Sequence, residues 1–87
     1  MTPIERAVNI GPVLSGELRK AGIETIEQLQ RVGYVKAWRR IHAVNPERDC
    51  ASSMLALAGA IEGVRWMALP AGTRAGIRAE AQQEALR

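Results

Sequence analysis

Apolar residues recur along this chain at helical spacing, and glycine or proline breaks the pattern at short intervals. That period puts side chains on one face of a helix, whereas a half-buried strand alternates at every second residue. Thr2-Pro3-Ile4-Glu5 reads as a helix start, with Thr2 as cap, Pro3 at the first helical position and Glu5 at the third. Gly11-Pro12 must end that helix early. Pro12 opens the next, which runs to about Ala21 with Leu14, Leu18 and Ala21 on one face. Gly22 takes the left-handed terminating position. Thr25 and Gln28 form a capping-box pattern ahead of inward-facing Ile26 and Leu29. Gly33 stops this helix or turns a sharp corner. Tyr34, Trp38 and Ile41 share one face of a longer segment closed by Asn45-Pro46. Asp49 then caps a strongly apolar helix with Met54, Leu57, Ala58 and Ile61 as its stripe, widened by Leu55; this helix should be central. Gly63 ends it, Trp66 and Leu69 fall in a connection, and Pro70 precedes an alanine-rich last helix. The stripe there (Ile77, Ala81, Ala85) is weak, so this end should be the least firmly packed, frayed or used in self-association. The pattern predicts an all-α fold, a compact bundle of about five short helices forming one domain over residues 1–87.

Composition narrows the choice of function. The chain of 87 residues has two Trp, one Tyr and no Phe, so small aliphatic residues must fill the core. Such a composition suits close helix packing better than a sheet. The net charge of +3 comes from ten Arg and two Lys against nine acidic residues. That balance is compatible with nucleic acid but lacks the dense basic stripe of a dedicated binder. Cys50 is the only cysteine, which excludes an internal disulfide and a cysteine-based metal site. The run MLALAGAI is far short of a membrane span, and MTPIERAV has no signal-like apolar core. A cytoplasmic protein without cofactor, membrane contact or small-molecule substrate is expected.

The stretch Asn9-Ile10-Gly11-Pro12 carries the sharpest chemical suggestion. A glycine turn feeding a helix exposes unpartnered N–H groups at the positive end of the helix dipole, which favours phosphate. Helix-hairpin-helix modules grip DNA backbones with such a turn, commonly G-h-G with h apolar. Here Asn9 replaces the first glycine, and Asn also tolerates left-handed geometry. Pro12 donates no N–H, and no cation follows until Arg19. Candidate phosphate contacts are Gly11, Val13, Ser15 and Arg19, with Arg39 and Arg40 on a basic face that also includes Arg31 and Lys36. The competing structural role is a tight turn that packs two helices with Ile10 plugged into the core, and a basic face of this kind also serves as a solvated helix exterior.

Taken in order, NIG at Asn9–Gly11, Ser15, Leu18, AGI at Ala21–Ile23, Thr25, Leu29, Gly33, Trp38, LALAGAIEG at Leu55–Gly63 and W-x-x-L-P at Trp66–Pro70 span most of the chain. This ordered set resembles the C-terminal domain of the TfoX (Sxy) family of bacterial competence regulators. The resemblance implies a helix-hairpin-helix-like or SAM-like all-α fold and no catalytic residues. In two-domain members an α/β domain precedes this one, and they act with the cyclic-AMP receptor protein in activating DNA-uptake genes. A chain that starts at Met1 with a helix cap leaves no room for that partner domain, so a stand-alone copy is expected.

His42 and Cys50 invite a base–nucleophile reading. Asn45-Pro46 breaks the segment between them, so helical periodicity does not bring them together. Glu24, Glu27, Glu47 and Asp49 flank helix starts, where carboxylates favour the dipole without any metal. Trp38 and Trp66 are expected as core anchors, with a protein interface as the alternative. The sequence therefore predicts a non-enzymatic regulatory or protein-interaction module whose partner is another protein, such as transcription machinery, or a second copy. Weak sequence-nonspecific DNA binding is the alternative.

Overall fold

The polar–apolar pattern resolves into five α-helices: α1 (Pro12–Lys20), α2 (Ile26–Val32), α3 (Tyr34–Val44), α4 (Cys50–Glu62) and α5 (Ala71–Ala85). Single 3₁₀ turns lie at Ile4–Arg6 and Trp66–Ala68, and there is no strand. The structure is a computed structural model describing residues 1–87.

Local chemistry sets most helix ends. The Thr25 hydroxyl accepts from the Gln28 N–H while the Gln28 side chain accepts from the Thr25 N–H, a complete capping box at α2. Asp49 caps α4 by accepting from the Ser52 N–H at 2.8 Å. Pro12 takes the first position of α1. Two helices end alike. After α1, the Gly22 N–H bonds the Arg19 carbonyl and the Ile23 N–H bonds the Leu18 carbonyl at 2.8 Å. After α4, Gly63 bonds Ala60 and Val64 bonds Gly59 at 2.9 Å. Both are Schellman terminations, which require a left-handed residue, and both glycines have positive φ.

The N-terminus departs from the expected capped helix. Only one 3₁₀ turn forms, because α2 captures the groups a helix would need. The Thr2 N–H and hydroxyl both donate to the Glu27 carboxylate, at 2.8 and 3.0 Å. The Ile4 N–H bonds the Glu24 carbonyl, and the Ile26 N–H bonds the Thr2 carbonyl. This leaves a single antiparallel bridge between Pro3 and Thr25, with Ile4 fully buried behind it.

As expected, α4 is central: seven of its thirteen residues are buried, and it packs on α2, α3, α5 and the Trp66 turn. The core joins Leu14 and Leu18 of α1, Leu29 of α2, Trp38 and Ile41 of α3, and Met54 and Leu57 of α4. α5 is the longest helix yet buries only Ile77 and Ala81. Ala85, expected on its stripe, is exposed. Trp38 is a core residue, whereas Trp66 is only half-buried against the core.

Candidate functional site

The Gly11 turn is held by Asn9. Asn9 adopts φ 71°, the left-handed geometry expected of it. Its side chain reaches across the molecule: Nδ2 donates to the Val64 carbonyl at 2.9 Å, and Oδ1 accepts from the Trp66 N–H at 3.2 Å. The carboxamide therefore braces the α4–α5 connection. Gly59 makes room for it, since a Cβ there would lie 2.5 Å from Asn9 Nδ2 and 2.7 Å from the Val64 oxygen. Ile10 is buried, as a packing turn requires. Beyond the brace, Gly11 is the N-cap of α1 without a side-chain cap, and the first helical bond is Ser15 N–H to the Gly11 carbonyl. The Val13 and Leu14 N–H groups have no backbone partner.

The predicted contact residues do not share one environment. Gly11 and Val13 are exposed, Val13 strongly so at 69%. Ser15 is buried, and its hydroxyl donates to the Pro12 carbonyl at 3.0 Å. Arg19 pairs with Glu5, with Nη2 to Oε1 at 2.7 Å, and this pairing holds the Glu5 carboxyl down at about 2. Arg39 forms a bidentate pair with Glu84 at 2.8 and 2.9 Å, the planar fork matching both carboxylate oxygens. Arg40 is exposed and has no carboxylate partner, as are Arg31 and Lys36.

One polar network ties the turn region to the helices behind it. Glu17 is buried and accepts from Asn45 Nδ2 at 2.8 Å and from the Arg48 guanidinium. Burial pushes the Glu17 carboxyl up, but the hydrogen bonds from Arg48 and Asn45 outweigh it and leave it below the usual carboxylate range. A carboxyl depressed in the folded state stabilises above its unfolded value and ceases to do so as pH falls through its folded value. Wild-type stability is therefore expected to fall between pH 5 and pH 3, both about the unfolded carboxylate range. Glu17→Gln should flatten that dependence while costing about 2 kcal/mol at neutral pH. Urea titrations at several pH values check this; an unchanged pH slope in the variant would sink it.

The structure brings His42 and Cys50 to the same cleft, of about 500 Å³, with Trp38, Arg39, Arg48 and Glu84 around it. The sequence reading missed this because the α3–α4 turn, and no helical repeat, makes them neighbours. The thiol is poorly set for nucleophilic work. Burial, and then the charges of Glu84 and Asp49, push it up, and Sγ contacts the Ala81 carbonyl at 3.4 Å. The His42 ring packs on Trp38 with centroids 5.0 Å apart. No group of three or more His, Cys, Asp or Glu is placed to hold a metal ion, and no helix is long and apolar enough to cross a membrane.

The end of α4 and the start of α5 form an apolar corner. Met67 and Val64 are both exposed there, Met67 at 58%. A shallow cleft of about 360 Å³ is lined by Val64, Ala68, Leu69 and Pro70 together with Glu62 and Thr73.

Five short helices around one small core, with a braced glycine turn and an exposed apolar corner, define a small all-α domain. The chain belongs to the TfoX C-terminal domain family, whose profile matches residues 1–81. It is similar to the crystal structure of an uncharacterized protein from Listeria monocytogenes in a triclinic form, at 33% identity and a TM-score of 0.90, covering 97% of this chain and 94% of that one. It is also similar to the tetragonal-form structure of a protein of unknown function from Listeria monocytogenes, at 37% identity and a TM-score of 0.82, covering 87% and 92%. A search among curated proteins finds no match.

Proposed function

We propose that this domain is a non-enzymatic regulatory module that works by binding another protein, and that the Val64–Pro70 corner is its contact face. The supporting observation is the exposure of two large apolar residues three apart in the α4–α5 connection, Val64 and Met67, with Val64 in the wall of the adjoining cleft. Large exposed apolar groups that cluster, rather than scatter, mark interaction sites, and a flexible thioether adapts to a partner's surface. The family context points to a component of the transcription machinery as the partner class. A photo-crosslinking residue at position 67 should give a discrete adduct in cells, and one at exposed Ala79 should not. Met67→Asp should cut capture of that partner about tenfold while leaving the fold intact by circular dichroism, since it removes an exposed apolar group. Adducts at both positions, or at neither, would count against the corner.

A second reading, weak sequence-nonspecific DNA binding, is supported by the uncapped N–H groups at the start of α1 and the carboxylate-free Arg40. In it, Gly11 and Val13 offer backbone donors and Arg40 a cation. Arg19 and Arg39 reach phosphate only by sharing or leaving Glu5 and Glu84, and Ser15 acts from behind the turn. Arg40→Glu should weaken duplex binding at low salt and reduce the salt slope by about 1.

A further inference from the structure

Four of the ten arginines carry carboxylate partners: Arg19, Arg39, Arg48 and Arg87. Arg65 and Arg78 do not, and they converge. Both line a cleft of about 450 Å³ between the Trp66 turn, α4 and α5, with Trp66 and Leu55 in its wall. This cleft shares Asn9, Ser52 and Ala56 with a neighbouring one of about 360 Å³ that runs past the Gly11 turn and Arg48. No aspartate or glutamate lines either cleft, in a chain with nine acidic residues. Two guanidinium groups facing one cleft repel each other unless an anion joins them. Arg6, Arg31, Arg40 and Arg74 also lack a carboxylate partner; what distinguishes Arg65 and Arg78 is that the two line one cleft that holds no carboxylate.

The Trp66 wall of the cleft is built to stay in place. The Trp66 N–H is tied to Asn9 Oδ1, and the Leu69 N–H closes the 3₁₀ turn onto the Trp66 carbonyl. The half-buried indole thus sits on a braced turn beside the two free cations. An aromatic platform flanked by guanidinium groups matches an unpaired nucleotide: the base stacks and the phosphates take the arginines. The cleft is large enough to admit one planar base at its mouth. A duplex keeps its bases paired and stacked, and so offers none to the indole without flipping.

We infer that the Arg65–Trp66–Arg78 cleft binds single-stranded nucleic acid, with Trp66 stacking on one base and the arginines holding the adjacent phosphates. The strand continues over Ser52 toward the Gly11 turn. This goes beyond the protein-contact reading, and it differs from the duplex reading in its cations, since the α3 residue Arg40 takes no part.

Fluorescence anisotropy with a labelled oligothymidylate and with a duplex of the same length, at low and physiological salt, tests it. The wild-type chain should favour the single strand. Arg65→Ala with Arg78→Ala should weaken binding at least tenfold and reduce the salt slope by about 1.4, two phosphates at about 0.7 each. Both arginines are exposed and without ion-pair partners, so this variant should fold even if Trp66→Ala does not. Trp66→Phe keeps a stacking face and should retain most of the binding. The inference fails if no strand binds at low salt, if the duplex is preferred, or if Arg40→Glu abolishes binding while the Arg65/Arg78 variant does not. It fails equally if polyglutamate competes as well as the oligonucleotide, which would make the cleft a seat for an acidic protein segment.

Discussion

Gly59→Ala is expected to lower the unfolding free energy by about 3 kcal/mol, the upper range for overpacking a core. The added Cβ would meet Asn9 Nδ2, the Val64 carbonyl oxygen and Trp66 Cα, the last at 3.1 Å. Two of these are backbone atoms of a connection already fixed by the Schellman termination and by the Asn9 brace, so neither can withdraw cheaply. Alanine ordinarily helps a helix interior by up to about 1 kcal/mol over glycine, and the collision must exceed that gain. The contrast with other glycines makes the expectation specific. Gly76 in α5 has open space at its Cβ and ordinary helical geometry, so Gly76→Ala should stabilise by about 0.5–1 kcal/mol. Gly22 also has open space but a φ of +85°, so Gly22→Ala should cost about 1 kcal/mol through strain alone. Urea denaturation of the three variants checks the order. Adding Asn9→Ala to Gly59→Ala should recover little, because the contact with the Val64 oxygen persists. Full recovery would mean that the Asn9 side chain alone fills the space.

The same residues show how far local rules carry. Helix ends set by neighbours in sequence were legible: the Thr25–Gln28 box, the Asp49 cap, Pro12 at the start of α1, Gly22 as a left-handed stop and Gly63 as the end of α4. So was the central place of α4, because its apolar stripe is wider than any other. What was not legible depends on residues far apart in the chain. Asn9 is read locally as a substitute for glycine in a phosphate turn, but the atoms its side chain serves belong to Val64 and Trp66, more than fifty residues away. Thr2 is read as a helix cap, and Glu27 claims it across 25 residues instead. Arg39 and Arg19 look like free cations until the fold brings Glu84 and Glu5 to them. The carboxylate-free pair Arg65 and Arg78 is invisible in sequence for the same reason, since the two lie on different elements joined only by the shared cleft. Periodicity reports which face is buried and says nothing about which charges meet.

Leu18→Ala should cost about 3–4 kcal/mol, within the range measured for fully buried leucines. Leu18 is completely buried in α1, and it also sits at the position whose carbonyl accepts from the Ile23 N–H in the Schellman termination. Ile23, likewise fully buried, is the residue whose apolar contact with that position commonly accompanies the motif. Truncation therefore removes transfer free energy, opens a cavity beneath α1 and weakens the reason for the chain to reverse at Gly22. A chain of this length has a stability of roughly 4–13 kcal/mol at about 0.05–0.15 kcal/mol per residue. The loss is then a large share of the total and should lower the melting temperature by on the order of 15 °C. The urea midpoint should fall with its slope unchanged, since the surface exposed on unfolding is nearly the same. Ile23→Val should cost about 1 kcal/mol, and the two substitutions together should be less than additive because they empty one shared space. Strict additivity would show that α1 and the Ile23 turn are held to the core independently. The Schellman reversal would then be a consequence of α1 packing and not part of what secures it.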